Sequence, residues 1–125
     1  MKSEDHMAHI IVTTGDAIDG ARIGEYLGIV RGIAVRVPTI SQGFQALGSV
    51  LSGNLQAGAE MYAEVCETTR AEAYKRMVKH ARELEADAII AMRYDATDVA
   101  EKATEVLAYG TAVKLKYPQV TPVLE

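Results

Sequence analysis

An arginine stands where the sequence pattern calls for an apolar residue. Ala59 to Leu84 reads as one long amphipathic helix, and its apolar stripe recurs at every third or fourth residue. The stripe consists of Ala59, Tyr62, Cys66, Arg70, Ala73, Met77, Ala81 and Leu84. A guanidinium keeps its charge, so Arg70 on this face requires a carboxylate, backbone carbonyls or water. We therefore expect Arg70 to form a structural ion pair, a subunit contact or the floor of a polar pocket.

Two residues on a predicted strand could interact with Arg70, the Asp95 carboxylate and the Tyr94 hydroxyl. One hypothesis is a buried salt bridge from Arg70 to Asp95 or Glu64 that fixes the helix against the sheet. The alternative is a pocket for a small anion or polar metabolite, in which Arg70 is the anchor and a tyrosine hydroxyl is a donor. The further candidates for this pocket are Thr13, Thr14, Tyr26 and Thr111.

Metal ligands are few in this sequence, which contains one cysteine, three histidines and five methionines. The weak candidates, Cys66 and His80, lie on the same predicted helix at a separation of roughly 21 Å. They cannot share an ion within one subunit, and a packed thiol is the simpler interpretation of Cys66. Copies of one ligand from several chains of a homo-oligomer would be needed to build a site for a divalent or soft metal ion.

An enzymatic function is the third hypothesis, after binding of a metal or of a metabolite. Cys66 has Arg70 one helical turn away, but no histidine within that reach to act as a base. Gly24, Gly28 and Gly32 do not have the spacing of a phosphate-binding loop. We assign no catalytic residue and expect the protein not to be an enzyme.

Composition excludes several classes of partner. The chain has 125 residues, is 49% hydrophobic and carries a formal charge of −4, with 13 basic residues among 17 acidic ones. Nucleic acid binding needs clustered basic residues, and no apolar stretch is long enough to cross a membrane. A single cysteine and the absence of a secretory signal favour a cytoplasmic protein. We interpret residues 1–7 as a leader, 8–117 as one domain and 118–125 as an extended tail.

The periodicity predicts an α+β fold, with an antiparallel sheet covered by one long and one short helix. Tyr94 is expected on the same strand face as Ala88, Ile90 and Met92. The predicted strands are Ala8–Thr14, Ile23–Val37 (bent or bulged at its glycines), Ala86–Thr97 and Glu105–Tyr117. The predicted helices run from Pro38–Thr39 to about Leu51 and, after Gly58, from Ala59 to about Glu85. The last two strands should form a hairpin.

One face of the last predicted strand is apolar, with Val106, Ala108 and Ala112. We expect these residues to lie on a sheet surface that a single copy of the chain leaves in water. Assembly into a homo-oligomer would bury it.

Several segments resemble one protein family. They are Ile11–Thr14, Tyr26–Gly32, the helix with Arg70, Ala73 and Met77, Leu84–Ile90, and Ala108–Val113. Together they are similar to the YbjQ-like family, which is named for heavy-metal binding, over nearly all of Ile10 to Leu115. The resemblance implies a dodecin-like subunit that assembles into a ring, with a pentamer favoured, and a metal ion as the ligand to test.

Overall fold

The computed structural model describes residues 10–36, 53, 55–100 and 103–118, with helix side chains from position 63 onward. The elements are β1 (Ile11–Val12), β2 (Arg22–Arg36), α1 (Leu55–Glu83), β3 (Ala88–Ala100) and β4 (Ala103–Lys116). The predicted short helix, the leader and the tail beyond Pro118 lie outside the described residues. In the described part of the chain, no helix has both the length and the apolar character that crossing a membrane requires.

The four strands form a single sheet in the order β1-β3-β4-β2. β4 runs antiparallel to both β2 and β3, so the predicted hairpin is confirmed. β1 runs parallel to β3, with Ile11 opposite Ala88 and Val12 opposite Ile89. The α+β class is therefore confirmed, but the prediction of a fully antiparallel sheet is wrong. β1 does not pair with β2, which follows it in the chain, because it lies at the opposite edge of the sheet.

The long strand β2 is bulged, as its glycines predict. Its pairing with β4 shifts register between Ile23 and Glu25, and again between Tyr26 and Gly28. Gly28 has a φ of 114°, a conformation that a residue with a Cβ rarely adopts. The bulges bend the strand and set the register of its second half, which ends with Arg36 opposite Thr104.

Helix α1 covers one face of the sheet, the helix face. Ala73, Met77 and Ala81 are fully buried against residues of β2, β3 and β4. The sheet contributes Val30, Ala34, Ile89, Met92, Val106, Ala108 and Ala112 to this core. The helix approaches β2 so closely that a Cβ at Gly32 would overlap the carbonyl oxygen of Ala73. The apolar residues of β4 that we expected to lie open are thus covered within one chain, and that argument for assembly is wrong.

A bulge in β3 decides which of its side chains face the helix. The register shifts between Ile90 and Arg93, and Ala91 has a φ of 53°. Before the bulge, Ile90 packs away from α1, whereas Met92 after it belongs to the helix-face core. The prediction that Ala88, Ile90, Met92 and Tyr94 share a face is therefore wrong, because the extra residue reverses the alternation. Tyr94 then lies opposite Ala108 on the helix face.

The other sheet face, which we call the open face, is apolar and uncovered by described residues over much of its area. In the part of this face near β1, three residues are buried, namely Ala88, Ile90 and Val113. The partly buried side chains of Ile18, Ile23 and Leu115 pack against them. Farther along, large side chains are exposed. These are Tyr26, Ile29, Ile33, Val35 and Tyr109.

Candidate functional site

A cleft of about 420 Å³ lies between α1 and the end of the β2-β3-β4 sheet. It is lined by Arg36, Cys66, Arg70, Tyr94, Asp95, Ala96, Thr104 and Val106. Cys66 and Arg70 are one turn apart on α1, and the remaining residues come from all three strands. The cleft therefore combines two guanidinium groups, a carboxylate, a phenol, a thiol and a hydroxyl from four different elements.

Arg70 is not a core residue. Its side chain is 49% exposed, and its Nη1 lies 3.0 Å from Oε1 of Glu67 on the preceding turn. The predicted buried ion pair with Asp95 or Glu64 is wrong, since the long side chain carries its charged head out of the apolar stripe. An exposed pair of this kind contributes little to stability, and the guanidinium still lines the cleft.

Among the residues that line the cleft, Tyr94 has a pKa that its surroundings raise above the ordinary value. Burial raises the pKa of its phenol, the nearby Tyr74 and Glu67 raise this pKa further, and the positive charge of Arg70 opposes them. The phenol is consequently protonated at neutral pH and can donate a hydrogen bond. The bulge at Ala91 is what turns Tyr94 toward the helix.

The opposite wall of the cleft is a short chain of hydrogen bonds. Arg36 donates from Nη2 to Oγ1 of Thr104 at 3.5 Å, and Thr104 donates to Oδ1 of Asp98 at 3.0 Å. Asp95 accepts a hydrogen bond from the backbone N–H of Ala96 at 3.0 Å. Arg36 and Thr104 were not among the residues predicted to line the site. The register of β2 against β4 pairs them directly, but this register depends on two bulges that residue types alone do not locate.

The structure brings Arg70, Tyr94 and Asp95 together with Cys66, and leaves other predicted site residues elsewhere. The Thr14 carbonyl, in the loop after β1, accepts a hydrogen bond from Nη1 of Arg93 at 2.8 Å. Tyr26 lies on β2 and Thr111 on β4. Both residues belong to the open face, as do their cross-strand partners. They are not part of the cleft lining.

The two weak metal candidates are also separated. Cys66 is a free, half-buried thiol at the cleft, whereas Nδ1 of His80 accepts a hydrogen bond from the backbone N–H of Arg31 at 3.3 Å. Within the described ranges, no group of three or more His, Cys, Asp or Glu side chains could hold a metal ion. A metal site in the described part of one chain therefore has at most an incomplete ligand set.

The fold and the cleft define a small α+β domain with a candidate site for a small ligand. A model of the YbjQ-like family, described as "Putative heavy-metal-binding", matches residues 10–116. The chain belongs to this family, as the sequence resemblance predicts. One relative, "UPF0145 protein lpg0197" of Legionella pneumophila strain Philadelphia 1, is 50% identical over 105 residues, which are 83% of this chain and 96% of the relative.

Another relative and a solved structure extend the comparison. A UPF0145 protein of Chromobacterium violaceum is 47% identical over 107 residues, covering 85% of this chain and 88% of the relative. A crystal structure from Pediococcus pentosaceus, of a protein of unknown function in the DUF74 family, has a TM-score of 0.56 and 19% identity. It covers 86% of this chain and 98% of that one. The likeness supports the fold, and none of these names gives an enzymatic activity.

Proposed function

We propose that this protein is a ring-forming binding protein that holds a small anionic metabolite in the cleft between Arg36 and Arg70. The observation that carries the proposal is that two arginines from different elements line the same cleft, together with the protonated phenol of Tyr94. A volume of about 420 Å³ lies in the range of small-molecule sites.

The lining residues suit a carboxylate or phosphate group. A guanidinium can bind either group through two parallel hydrogen bonds, and the Tyr94 hydroxyl adds a third donor. The surface pair between Arg70 and Glu67 costs little to break, so Arg70 is free to exchange that partner for a ligand. Arg36 holds Thr104 by a long bond of 3.5 Å, which leaves its other donors for an anion.

The same proposal includes self-assembly through the open face. Tyr26 and Ile29 there are 68% and 72% exposed, an unusual state for large apolar side chains grouped on one sheet surface. A second copy of this chain is the occupant that we propose. A ring, dodecin-like in its subunit and pentameric by the family resemblance, would bury the face in every copy.

A second candidate function is binding of a heavy metal, and Cys66 is the observation that favours it. Its thiol lines the cleft beside Arg70, and soft metal ions select thiolate ligands. One thiol per chain is too few, so copies from neighbouring subunits would have to converge on the ion. The family description "Putative heavy-metal-binding" agrees with this candidate.

Native mass spectrometry and calorimetry distinguish the two candidates. The purified protein is titrated with inorganic phosphate, and separately with Zn²⁺ and Cu⁺. We expect phosphate binding that weakens about tenfold or more in Arg70→Met and in Arg36→Met, and that is unchanged in Arg22→Met, a matched surface variant outside the cleft. Metal binding that is lost in Cys66→Ser, with no phosphate binding, would replace the anion proposal by the metal one.

A further inference from the structure

Strand β2 is an edge strand in the described part of the sheet, since β4 lies on one side of it. Alternate backbone groups of such a strand point away from the sheet and lack a strand partner. Two of these groups are bound by side chains of α1. Nδ1 of His80 accepts from the N–H of Arg31 at 3.3 Å, and Nη1 of Arg76 donates to the carbonyl oxygen of Ile33.

The spacing of the two contacts resembles that of a neighbouring strand. His80 and Arg76 are one helical turn apart, a rise of about 6 Å, and Arg31 and Ile33 are separated by about 6.6 Å along β2. The helix advances from 76 to 80 while the strand retreats from Ile33 to Arg31. One acceptor and one donor on the helix thus satisfy two groups of the edge in the order that an antiparallel strand would.

From these contacts we infer that His80 and Arg76 form an acid-sensitive cap on the edge of β2, and that protonation of His80 opens this cap and exposes the Arg31 amide. Only a neutral imidazole has a nitrogen that can accept a hydrogen bond, whereas both nitrogens of the protonated ring are donors. A protonated His80 would direct an N–H at the N–H of Arg31. Imidazole is also the side chain that ordinarily changes charge between about pH 5 and 8.

The charged groups around His80 do not provide another acceptor for the Arg31 N–H when the imidazole is protonated. On α1, Arg76 and Glu83 lie about one turn to either side, and Arg76 is paired with Glu72 at 3.3 Å. On β2 the neighbour is Arg31, whose cross-strand partner on β4 is Tyr109. Glu83 can pair with the protonated ring, but this pairing draws the ring away from the Arg31 amide and does not restore an acceptor there.

Hydrogen exchange of the Arg31 amide measures directly whether its hydrogen bond to His80 is formed. The exchange rate is measured by NMR on dilute protein at pH 7.5 and pH 5.0, and divided by the intrinsic rate at each pH. We expect the protection of Arg31 in the unaltered protein to fall about five- to tenfold at pH 5.0, as loss of one hydrogen bond implies. The Thr13 amide, bonded to the Ile89 carbonyl at 3.0 Å between β1 and β3, is the internal control.

Two variants of the same residue separate the cap from other effects of acid. His80→Asn keeps a neutral acceptor near the position of Nδ1, so Arg31 should stay protected at both pH values. His80→Lys has a permanent charge and no acceptor, so protection should be low at both. Unchanged protection of Arg31 in the unaltered protein, while the ring signals of His80 show that it has titrated, would overturn the inference. An acid-induced loss in His80→Asn would do the same. The cap is independent of the arginine cleft, so either proposal can fail without the other.

Discussion

At the scale of single residues, Arg70 shows how an apolar stripe can mislead. The spacing that places Arg70 among core residues is real, because Ala73 and Met77 on the following two turns are fully buried. A long side chain can nonetheless begin on a buried face and end in water. Its partner Glu67 is itself 75% exposed, which makes the ion pair a surface feature.

Replacement of Arg70 should therefore affect binding far more than folding. We expect Arg70→Ala to change the free energy of unfolding by less than about 1 kcal/mol, because an exposed ion pair contributes little. Urea denaturation followed by circular dichroism provides the measurement. A loss of about 3 kcal/mol or more would instead indicate that the variant leaves a buried carboxylate unpaired.

Tyr94 provides a second test at this scale, since charges of opposite sign act on its phenol. Arg70→Met removes the positive charge that lowers the pKa of Tyr94, and Glu67→Gln removes a negative charge that raises it. The two variants should shift the pKa of Tyr94 upward and downward respectively. NMR titration of ¹³Cζ-labelled tyrosine measures both shifts, and equal responses of the two variants would contradict the arrangement of the cleft.

The direction of the Tyr94 shift also sets a dependence of stability on pH. The pKa of this phenol in the folded chain lies above its ordinary value of 10.0, so the folded state retains the proton more strongly. The resulting stabilisation is fully present below about pH 10 and is lost as the pH rises through the folded-state value. Tyr94→Phe should make this alkaline loss of stability smaller in urea denaturation at pH 9 and 11.

At the scale of the elements, the contact of α1 with β2 depends on Gly32. A Cβ there would overlap the backbone of Ala73 and Met77, and backbone atoms cannot move aside as a flexible side chain does. We expect Gly32→Ala to cost about 3 kcal/mol of unfolding free energy by displacing the helix. Gly24→Ala is the matched control on the same strand, because its Cβ would meet the Lys116 Cγ at 3.4 Å. Equal stability of the two variants would contradict the close approach.

The elements also show which parts of the fold can be predicted from the types of residue in the sequence. Helical and alternating periodicities predicted α1, the bulged β2 and the β3–β4 hairpin, because these are local patterns. The parallel pairing of β1 with β3 joins segments far apart in the chain, and no local pattern specifies it. The bulge at Ala91 has neither glycine nor proline to mark it, so the faces of β3 beyond that point were wrongly predicted.

The candidate site follows the same rule. Arg70, Tyr94 and Asp95 were predicted because each has a charged or hydroxyl group on a predicted helix or strand, where it could pair with another residue or bind a ligand. Arg36 and Thr104 were missed because their place in the cleft depends on the register of two strands distant in sequence. Thr14, Tyr26 and Thr111 have suitable chemistry, but they do not line the cleft.

At the scale of the whole molecule, the two faces of the sheet differ in how far the described residues of one chain cover them. Helix α1 buries the helix face within one chain, so Val106, Ala108 and Ala112 need no partner. The open face retains exposed Tyr26, Ile29 and Ile33 beyond its small buried cluster. Apolar patches of this kind are typical of interaction surfaces. The reason for expecting assembly therefore moves from one face of the sheet to the other.

If copies of the chain associate through the open face, as proposed, a charge placed there should separate them without unfolding them. We expect Ile29→Lys, at a position 72% exposed in the single chain, to reduce the subunit number that native mass spectrometry reports. The reason is that association would have to bury an unpaired ammonium group. Ala71→Lys, on the exposed side of α1, carries the same added charge and should leave the subunit number unchanged. If Ile29→Lys keeps the full assembly, the open face is not the interface, whereas disassembly by both variants would indicate that net charge alone is responsible.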